Sequence, residues 1–561
     1  MPQIVNFDNK QIIEPGGYSR ILGGSAPVAA LDTYGTVMLI DSGLGKDFGG
    51  GSGIAGSLLN GSDSIYEITS RDDAKAFLRG GMLYDLMDYL WSPSNAGGGI
   101  SKMLYSRAAT TVAATIALSF NGGANILTLA AKNEGTVGNG AFTSSVLTRG
   151  FGVKMRAGVN NSAKYILDFW AGKFKGNDPN GIPYELSEAV LATNNIVDKY
   201  ASSGEIATFA DLVTFAQNDP NFNLHFKFVS STGNAYSLTG TDLTNLTTMQ
   251  LFISGTTAYA IAKVDDILGQ VVDVDFDAFL AVDYGGVPTN TDQQILDGAN
   301  KGAMSTVNSK LLAFCQLSLY PLKEMYVGGG NNSSGFSVSG GNSDGSIQIA
   351  AFFNDSRVVV VHSGVKAIVN SGALTDIPYS LYHAALVCGR ANGLEPQAPV
   401  TYKDLRMKGL THVLSQKQRE QALTAGVTHA KNVAKLGWVV NQGITTLQSN
   451  ASQIYPDGTS PSIQIMRIFH QINKELMINA TARFPGGNLK TVSSAELKAF
   501  VEGYLDSRTV QVDVDNLLIT WRNVTVAFSN GVWNVKYCAT PNAEITQVFF
   551  TGMMLDPNIQ A

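Results

Sequence analysis

The chain has 561 residues, 44% of them hydrophobic, enough for several domains of roughly 100–200 residues each. Lysine and arginine number 39 against 45 acidic residues, a net charge of −6, which argues against direct wrapping of nucleic acid because phosphate neutralisation needs a basic face. Only 15% of residues are charged, where soluble domains carry about 25%, a balance that suits a subunit burying surface in an assembly. Cys315, Cys388 and Cys538 form no C-x-x-C pair and are expected as buried thiols of a reducing compartment. The opening MPQIVNFDNKQ lacks a basic n-region and an apolar h-region, so a product cytoplasmic at synthesis is expected. No apolar run approaches the ~20 residues of a membrane span.

In chain order, residues 1–20 form an extended arm with Ile4, Val5, Phe7, Ile12 and Ile13, closed by the turn Glu14-Pro15-Gly16-Gly17. It is expected to pair non-locally, with its own sheet or another chain. Residues 34–42 predict a buried strand, 65–68 a short strand, and Ser70 the cap of a helix with Asp72 and Asp73 in its first turn. Residues 108–265 turn Thr-, Ser-, Asn- and Gly-rich with alternating stretches, the pattern of a β-rich domain. Helix is expected over 290–318, a loop over 328–346, a strand-like IQIAAFF after it, a buried strand at Arg357–Val361 and a helix at Leu381–Leu386. Ser415 caps a further helix. Residues 462–480 place Ile465, Ile468, Phe469, Ile472 and Leu476 on one helical face, and a second helix spans 493–506. Three strand-like runs close the chain (517–528, 532–540 and 545–555), the first two joined by Ser529-Asn530-Gly531, a hairpin signal.

The motifs that would carry chemistry fail on context. Gly51-Ser52-Gly53-Ile54-Ala55-Gly56 matches G-x-G-x-x-G without a strand directly before it or a helix after it. Gly341-Asn342-Ser343-Asp344-Gly345 matches G-x-S-x-G inside a Gly/Ser tract, with strand expected after it where a nucleophile elbow needs helix. The six histidines, at 225, 362, 383, 412, 429 and 470, are scattered singly. Asp273, Asp275 and Asp277 lack the glycine and distal glutamate of a Ca²⁺ loop and are expected as a solvated edge. No catalytic, cofactor or metal site is assigned, and the chain is expected to be a structural, self-assembling subunit.

Several stretches resemble, in order, the tail sheath proteins of contractile phages and related injection machines. They are Glu14-Pro15-Gly16-Gly17-Tyr18, residues 68–90 (ITSRDDAKAFLRGGMLYDLMDYL), and Ala131–Asn139, where Glu134 and Val137 replace the family's usual Pro and Trp. Further on come Pro378–Gly409 with Gly389-Arg390-Ala391, then Leu414–Gln418 with Gly426-Val427, and a C-terminal order of two helices, Trp521 and strands. The resemblance implies an α+β multidomain fold. It comprises a 1–20 arm, a discontinuous sheath-type core (21–107 and 266–410), a β-rich outward-facing insertion (108–265) and a C-terminal α/β assembly domain with a terminal strand (411–561). It implies a homo-oligomer of stacked rings or a helical sheath around an inner tail tube protein, bounded by baseplate and tail terminator proteins. Such a virion tail is assembled in the host cytoplasm, without cofactors, direct nucleic-acid contact or a membrane span. Ile4, Val5, Phe7 and Ile12 are then candidate donated-strand residues, with Val548, Phe549 and Phe550 in or near the other arm. Arg467, Lys474 and Glu475 are candidate tube-facing residues, projecting from the polar side of the 462–480 helix. The alternatives are another phage structural subunit, tube or shell, or a glycan-binding module using Tyr165, Phe169 and Trp170.

Overall fold

The computed structural model describes residues 5–7, 10–12, 35–41, 65–78, 81–95, 98–107, 109–134, 139, 141–143, 146–149, 151–171, 198–233, 235–259, 261–272, 274–281, 308–316, 323–330, 336, 345–368, 374–377, 380–447, 462–484, 493–509, 516–529 and 532–542. The chain divides into two compact units. One comprises residues 34–394 and 402–460, the other 1–33, 395–401 and 461–561.

The larger unit is organised by a seven-stranded sheet in the order Val427–Thr428, Val358–Val361, Glu324–Gly328, Ala278–Leu280, Thr36–Asp41, Lys102–Arg107, Tyr66–Ile68. Every pairing is parallel except that of the edge strand Tyr66–Ile68. Parallel strands need crossovers, whose helices cover both faces, so their sequences run continuously apolar. Val37, Met38 and Leu39 and the run Val358–Val361 are accordingly buried. This layer is therefore α/β, within a chain that mixes parallel and antiparallel sheets. Val427–Thr428 lies at its far edge, so residues 411–426 lead into this unit and the units divide at 460/461 rather than 410/411. Asp277 is no solvated edge, because its carboxylate accepts the backbone N–H groups of Gly35 (2.9 Å) and Thr36 (3.0 Å) and pins the start of the central strand.

Helix Ser380–Asn392 is buried at every residue. It reaches the sheet where Gly328 lies, at which a Cβ would fall 2.7 Å from Ser380 Oγ and 2.8 Å from the Leu381 nitrogen. On another side it crosses helix Gly81–Trp91 at Gly389, where a Cβ would fall 2.5 Å from the Leu90 carbonyl oxygen. Backbone thus meets backbone, with Tyr89 set edge-on to Tyr382 at 5.2 Å beside the crossing. The adjacent Arg390 donates to Asp404 Oδ1 (3.2 Å), while Asp404 Oδ2 accepts from Ser94 Oγ (2.7 Å) and the Asn95 nitrogen (3.1 Å). A buried guanidinium is tolerated here because its charge is paired and the carboxylate's other oxygen is also hydrogen-bonded.

Ser346–Phe353 is helical, not the expected strand. Its first four residues alternate as a strand would, but Ser346, Ile349, Ala350 and Phe353 share one helical face and are the buried ones. The expected caps at Ser70 and Ser415 are present, the latter as a reciprocal box with Gln418. Of the 290–318 helix, 308–316 is described. Cys315 and Cys388 are buried, whereas Cys538 is exposed, against expectation.

Residues 109–259 contain two four-stranded sheets, all of whose pairings are antiparallel. One is ordered Asp198–Ser202, Tyr165–Ala171, Phe151–Ala157, Gln250–Leu251. The other is ordered Phe226–Thr232, Asn125–Glu134, Ala109–Phe120, Thr256–Tyr259. Ile116, Leu118, Leu127 and Leu129 from one sheet and Val153, Met155, Leu167 and Phe169 from the other share one core. Phe151, Phe169, Phe222, Phe226 and Phe252 join in it as an aromatic cluster with centroids 5.0–6.1 Å apart. Phe169 is fully buried there and Tyr165 nearly so, which removes two of the three rings from any glycan platform. Asp242 ties the helix Gly240–Leu246 to the Asn121 turn by accepting from Asn121 N, Thr239 N, Thr239 Oγ1 and Tyr236 OH. Burial alone would raise its carboxyl; the four donors outweigh burial and hold it below the ordinary value. Asn139, last residue of the third resembling stretch, grips Gly255 with both amide atoms, at 2.7 and 2.8 Å.

Replacing Gly389 by valine is expected to force the buried helix off its neighbour. Overpacking costs about 1–3 kcal/mol where the surroundings can shift, and here the obstacle is backbone. A lowered thermal midpoint or loss of soluble chain in G389V, measured by circular dichroism, checks this.

Candidate assembly surfaces

The smaller unit carries the residues expected to make contacts between subunits. Its frame is helix Ile463–Arg483, capped by Ser462, helix Ser494–Ser507, capped by Ser493, and the antiparallel hairpin Leu518–Ser529 with Val532–Pro541. Ser529 pairs with Val532, so the two-residue turn Asn530-Gly531 sets the register as its sequence predicts. Two bulges interrupt the ladder, and Asn523 at one of them has φ of 58°, a conformation asparagine tolerates better than most residues.

Ile468, Ile472, Leu497, Phe500, Val501, Leu505, Leu518 and Val524 close the core between the helices and one face of the hairpin. Tyr537 OH donates to Asn473 Oδ1 (2.7 Å) and Trp521 Nε1 to Asp506 Oδ1 (2.9 Å), fixing the sheet on the helices by both strands. Ile519 near the start of the first strand and Phe528 near its end are exposed. Among the described residues this sheet has two strands, of twelve and ten residues, so each has one long edge without a ladder partner. Such edges are the usual acceptors of an added strand.

The N-terminal arm differs from expectation. Val5–Phe7 pairs antiparallel with Lys10–Ile12, Val5 opposite Ile12, so the arm folds back on itself as a hairpin. Ile4, Val548, Phe549 and Phe550 lie outside the described residues.

Helix Ile463–Arg483 does not present the expected charges to solvent. Arg467 and Glu475 are buried, and Lys474 is half-buried. Gln464, Arg467, Gln471, Glu475 and Asn479 recur at intervals of three or four and form a second, polar stripe that is also buried. At its centre Glu475 Oε2 accepts from Tyr504 OH (2.6 Å) and from Arg508 Nη2, while Oε1 accepts from Gln471. Burial and the neighbouring carboxylate both push the Tyr504 hydroxyl's titration far up, so it stays a donor. Burial would lower the Arg508 pKa, but the pull of Tyr504 and Glu475 raises it on balance, so the cation persists. At the helix start Gln464 donates to the Asn542 carbonyl (2.9 Å) and to that of Gln397, holding segment 395–401 and the end of the hairpin together. Glu475 looks outward on a helical wheel, but the next helix supplies a matched cation and hydroxyl that make its burial tolerable.

Elsewhere, the chemistry-bearing types are gathered in one place the spacing did not reveal. His362, His383, His412 and His429 come together at the C-terminal ends of strands Val358–Val361 and Val427–Thr428. The Gly51–Gly56 motif and Ser343 lie outside the described residues. Among the described residues no group of three or more acidic, His or Cys side chains is arranged to hold a metal, and no helix is long and apolar enough to cross a membrane.

The described residues thus form a parallel-sheet core, a β-sandwich and a two-helix unit whose hairpin has no further ladder partner among them. No protein-family profile matches the chain. It is 22% identical over 485 residues to the tail sheath protein of Bacillus phage SP01, an alignment spanning 79% of each. Its fold is similar to crystal structures of sheath tail proteins from Desulfitobacterium hafniense (TM-score 0.53, 16% identity, covering 94% of this chain and 97% of that one) and Listeria innocua (0.50, 14%, 91% and 93%). The chain is thus similar in sequence to a tail sheath protein and in fold to sheath tail proteins.

Glu475→Gln removes the counter-charge of Arg508 and weakens the acceptor of Tyr504. It is expected to lower stability by about 1–3 kcal/mol, whereas Lys474→Ala should stay within about 0.5 kcal/mol. Urea unfolding of both variants checks the contrast; equal effects would contradict the buried-network assignment.

Proposed function

We propose that the chain is the structural subunit of a contractile tail sheath, which polymerises around an inner tail tube and contracts to drive the tube through a host envelope. The relationship to a tail sheath protein over 79% of both sequences carries this reading. The hairpin Leu518–Ser529/Val532–Pro541, two long strands with open edges on a rigid helical base, supports it physically.

In this reading a neighbouring subunit adds strands to that hairpin by main-chain hydrogen bonds. The Val5–Ile12 arm is one donor and the segment around Val548–Phe550 the other. An isolated hairpin of three-residue strands is marginal in water, so the arm gains by joining a neighbour's sheet. The subunit moves as a rigid body between two lattices, and the chemistry asked of it is mechanical, with no catalytic step or cofactor. The inner tube, a baseplate and a tail terminator are its partners. The 109–259 sandwich faces outward, and the assembled location is the virion tail.

Negative-stain electron microscopy of the purified chain is expected to show rings or striated tubes, and a monomer under all conditions would overturn the reading. Deleting residues 1–12 should leave circular dichroism and thermal midpoint unchanged while abolishing polymerisation. Tubes that persist after the deletion would refute the arm's role.

A further inference from the structure

The four-histidine cluster uses no part of the assembly surfaces described above. His362 follows the buried strand Val358–Val361 and is itself fully buried. Its Nδ1 lies 2.8 Å from Ser346 Oγ, which also accepts the Gly330 N–H (2.6 Å), and its Nε2 lies 2.9 Å from His412 Nδ1. Phe336 packs edge-on against both rings, at 5.0 and 6.2 Å. His383, on the buried helix Ser380–Asn392, directs Nδ1 at the His362 carbonyl (2.8 Å). Asn441 lies 3.0 Å from His429 Nε2.

The partner of His362 sits on a short strap. Gly409–Leu410 pairs with Val365–Lys366, the Thr411 nitrogen donates to the Gly364 carbonyl (3.1 Å), and the His412 nitrogen donates to Ser363 Oγ (3.0 Å). Ser363 has φ of 80°, an uncommon conformation for a residue with a side chain, so the backbone beneath the strap is held under strain.

We propose that the His362–His412 hydrogen bond is an acid-sensitive latch holding the 409–412 strap on the core sheet. One imidazole nitrogen must donate and the other accept, so the bond survives at most one proton between the two rings and breaks when both rings are charged. Among the described residues, the charged or titratable groups acting on the cluster offer no compensation. They are His383 from the helix behind, His429 from the neighbouring strand, Arg419 from helix Gln416–Thr424 and Lys431 from strand Ala430–Val433, all neutral or cationic. Helix Ser346–Phe353, which contributes Ser346, carries no charged side chain.

Burial, chiefly, lowers the pKa of all four rings: His362 well below the ordinary value, His383 and His429 to about 4, and His412 by less. A ring whose folded pKa is depressed takes up its proton on opening or unfolding. The stability it contributes is therefore complete above the ordinary value near 6.5 and is lost as pH falls toward about 4. Opening the strap exposes the rings to water, where they take up protons near the ordinary value, so acid favours the open strap while the rings of the closed latch stay neutral.

The test is amide hydrogen exchange on the full chain between pH 8 and 4.5, corrected for intrinsic exchange. Protection at Leu410–His412 is expected to fall by up to about tenfold per pH unit below pH 6.5, while Val359–Val361 stay protected. His412→Gln keeps a hydrogen-bonding side chain but cannot titrate, and should flatten that dependence. Strap protection that holds to pH 4.5, or that falls only together with the core strands, would overturn the latch. Should the variant misfold, imidazole NMR of the unmodified chain decides. The His362 and His383 rings must remain neutral down to pH 5, and titration near 6.5 would refute the proposal.

Discussion

Helix Ser380–Asn392 can be buried along its whole length only because two glycines let it approach its neighbours at backbone distance. At Gly389 the carbonyl of Leu90 occupies the space of a side chain, and at Gly328 the start of the helix does the same on the sheet. A helix at this depth needs every backbone group bonded and every polar side chain matched. Arg390 meets that demand through Asp404, which also collects Ser94 and Asn95, so one carboxylate joins the helix, the 92–95 turn and the 402–405 loop. The parallel sheet in turn depends on this helix, because strands such as Glu324–Gly328 are buried and need a covering layer.

The same logic recurs at smaller scale. Asp242 fastens a helix to a turn in the sandwich, Asn139 clamps Gly255, and Glu475 joins the two long helices of the smaller unit through Tyr504 and Arg508. Buried polar groups of this kind add little net stability, but removing one partner is costly, so they favour a single arrangement of their elements. Such fixed internal geometry suits the mechanical role proposed for the chain.

Local signals were legible where a few neighbouring residues decide the outcome. The caps at Ser70 and Ser415, the Asn530-Gly531 turn and the buried runs at Val37–Leu39 and Val358–Val361 are of this kind. The motif residues that carried the resemblance were legible as residues but not as causes. Gly389 is a helix crossing, Arg390 an ion pair and Asn139 a loop clamp, roles that no spacing along the chain discloses. The pairing of Val5–Phe7 with Lys10–Ile12 is not disclosed by the arm's hydrophobic positions, which fit a donated strand equally well. In helix Ser346–Phe353 the start, Ser-Ile-Gln-Ile, alternates like a strand, and burial of the helical face overrides that pattern.

Composition and sequence order by themselves determined that this is a low-charge, multi-unit chain with a β-rich middle, helices before a terminal hairpin, and the succession of stretches seen in tail sheath proteins. Those properties are sums over residues or patterns within one element. Only the tertiary structure decided that the core sheet is parallel, that Glu475 and Arg467 face inward, and that four separated histidines meet at one end of the sheet. Each of these depends on which partner a distant element supplies. Whether a charge or an imidazole is buried or exposed is set by that partner, not by its own neighbours in sequence.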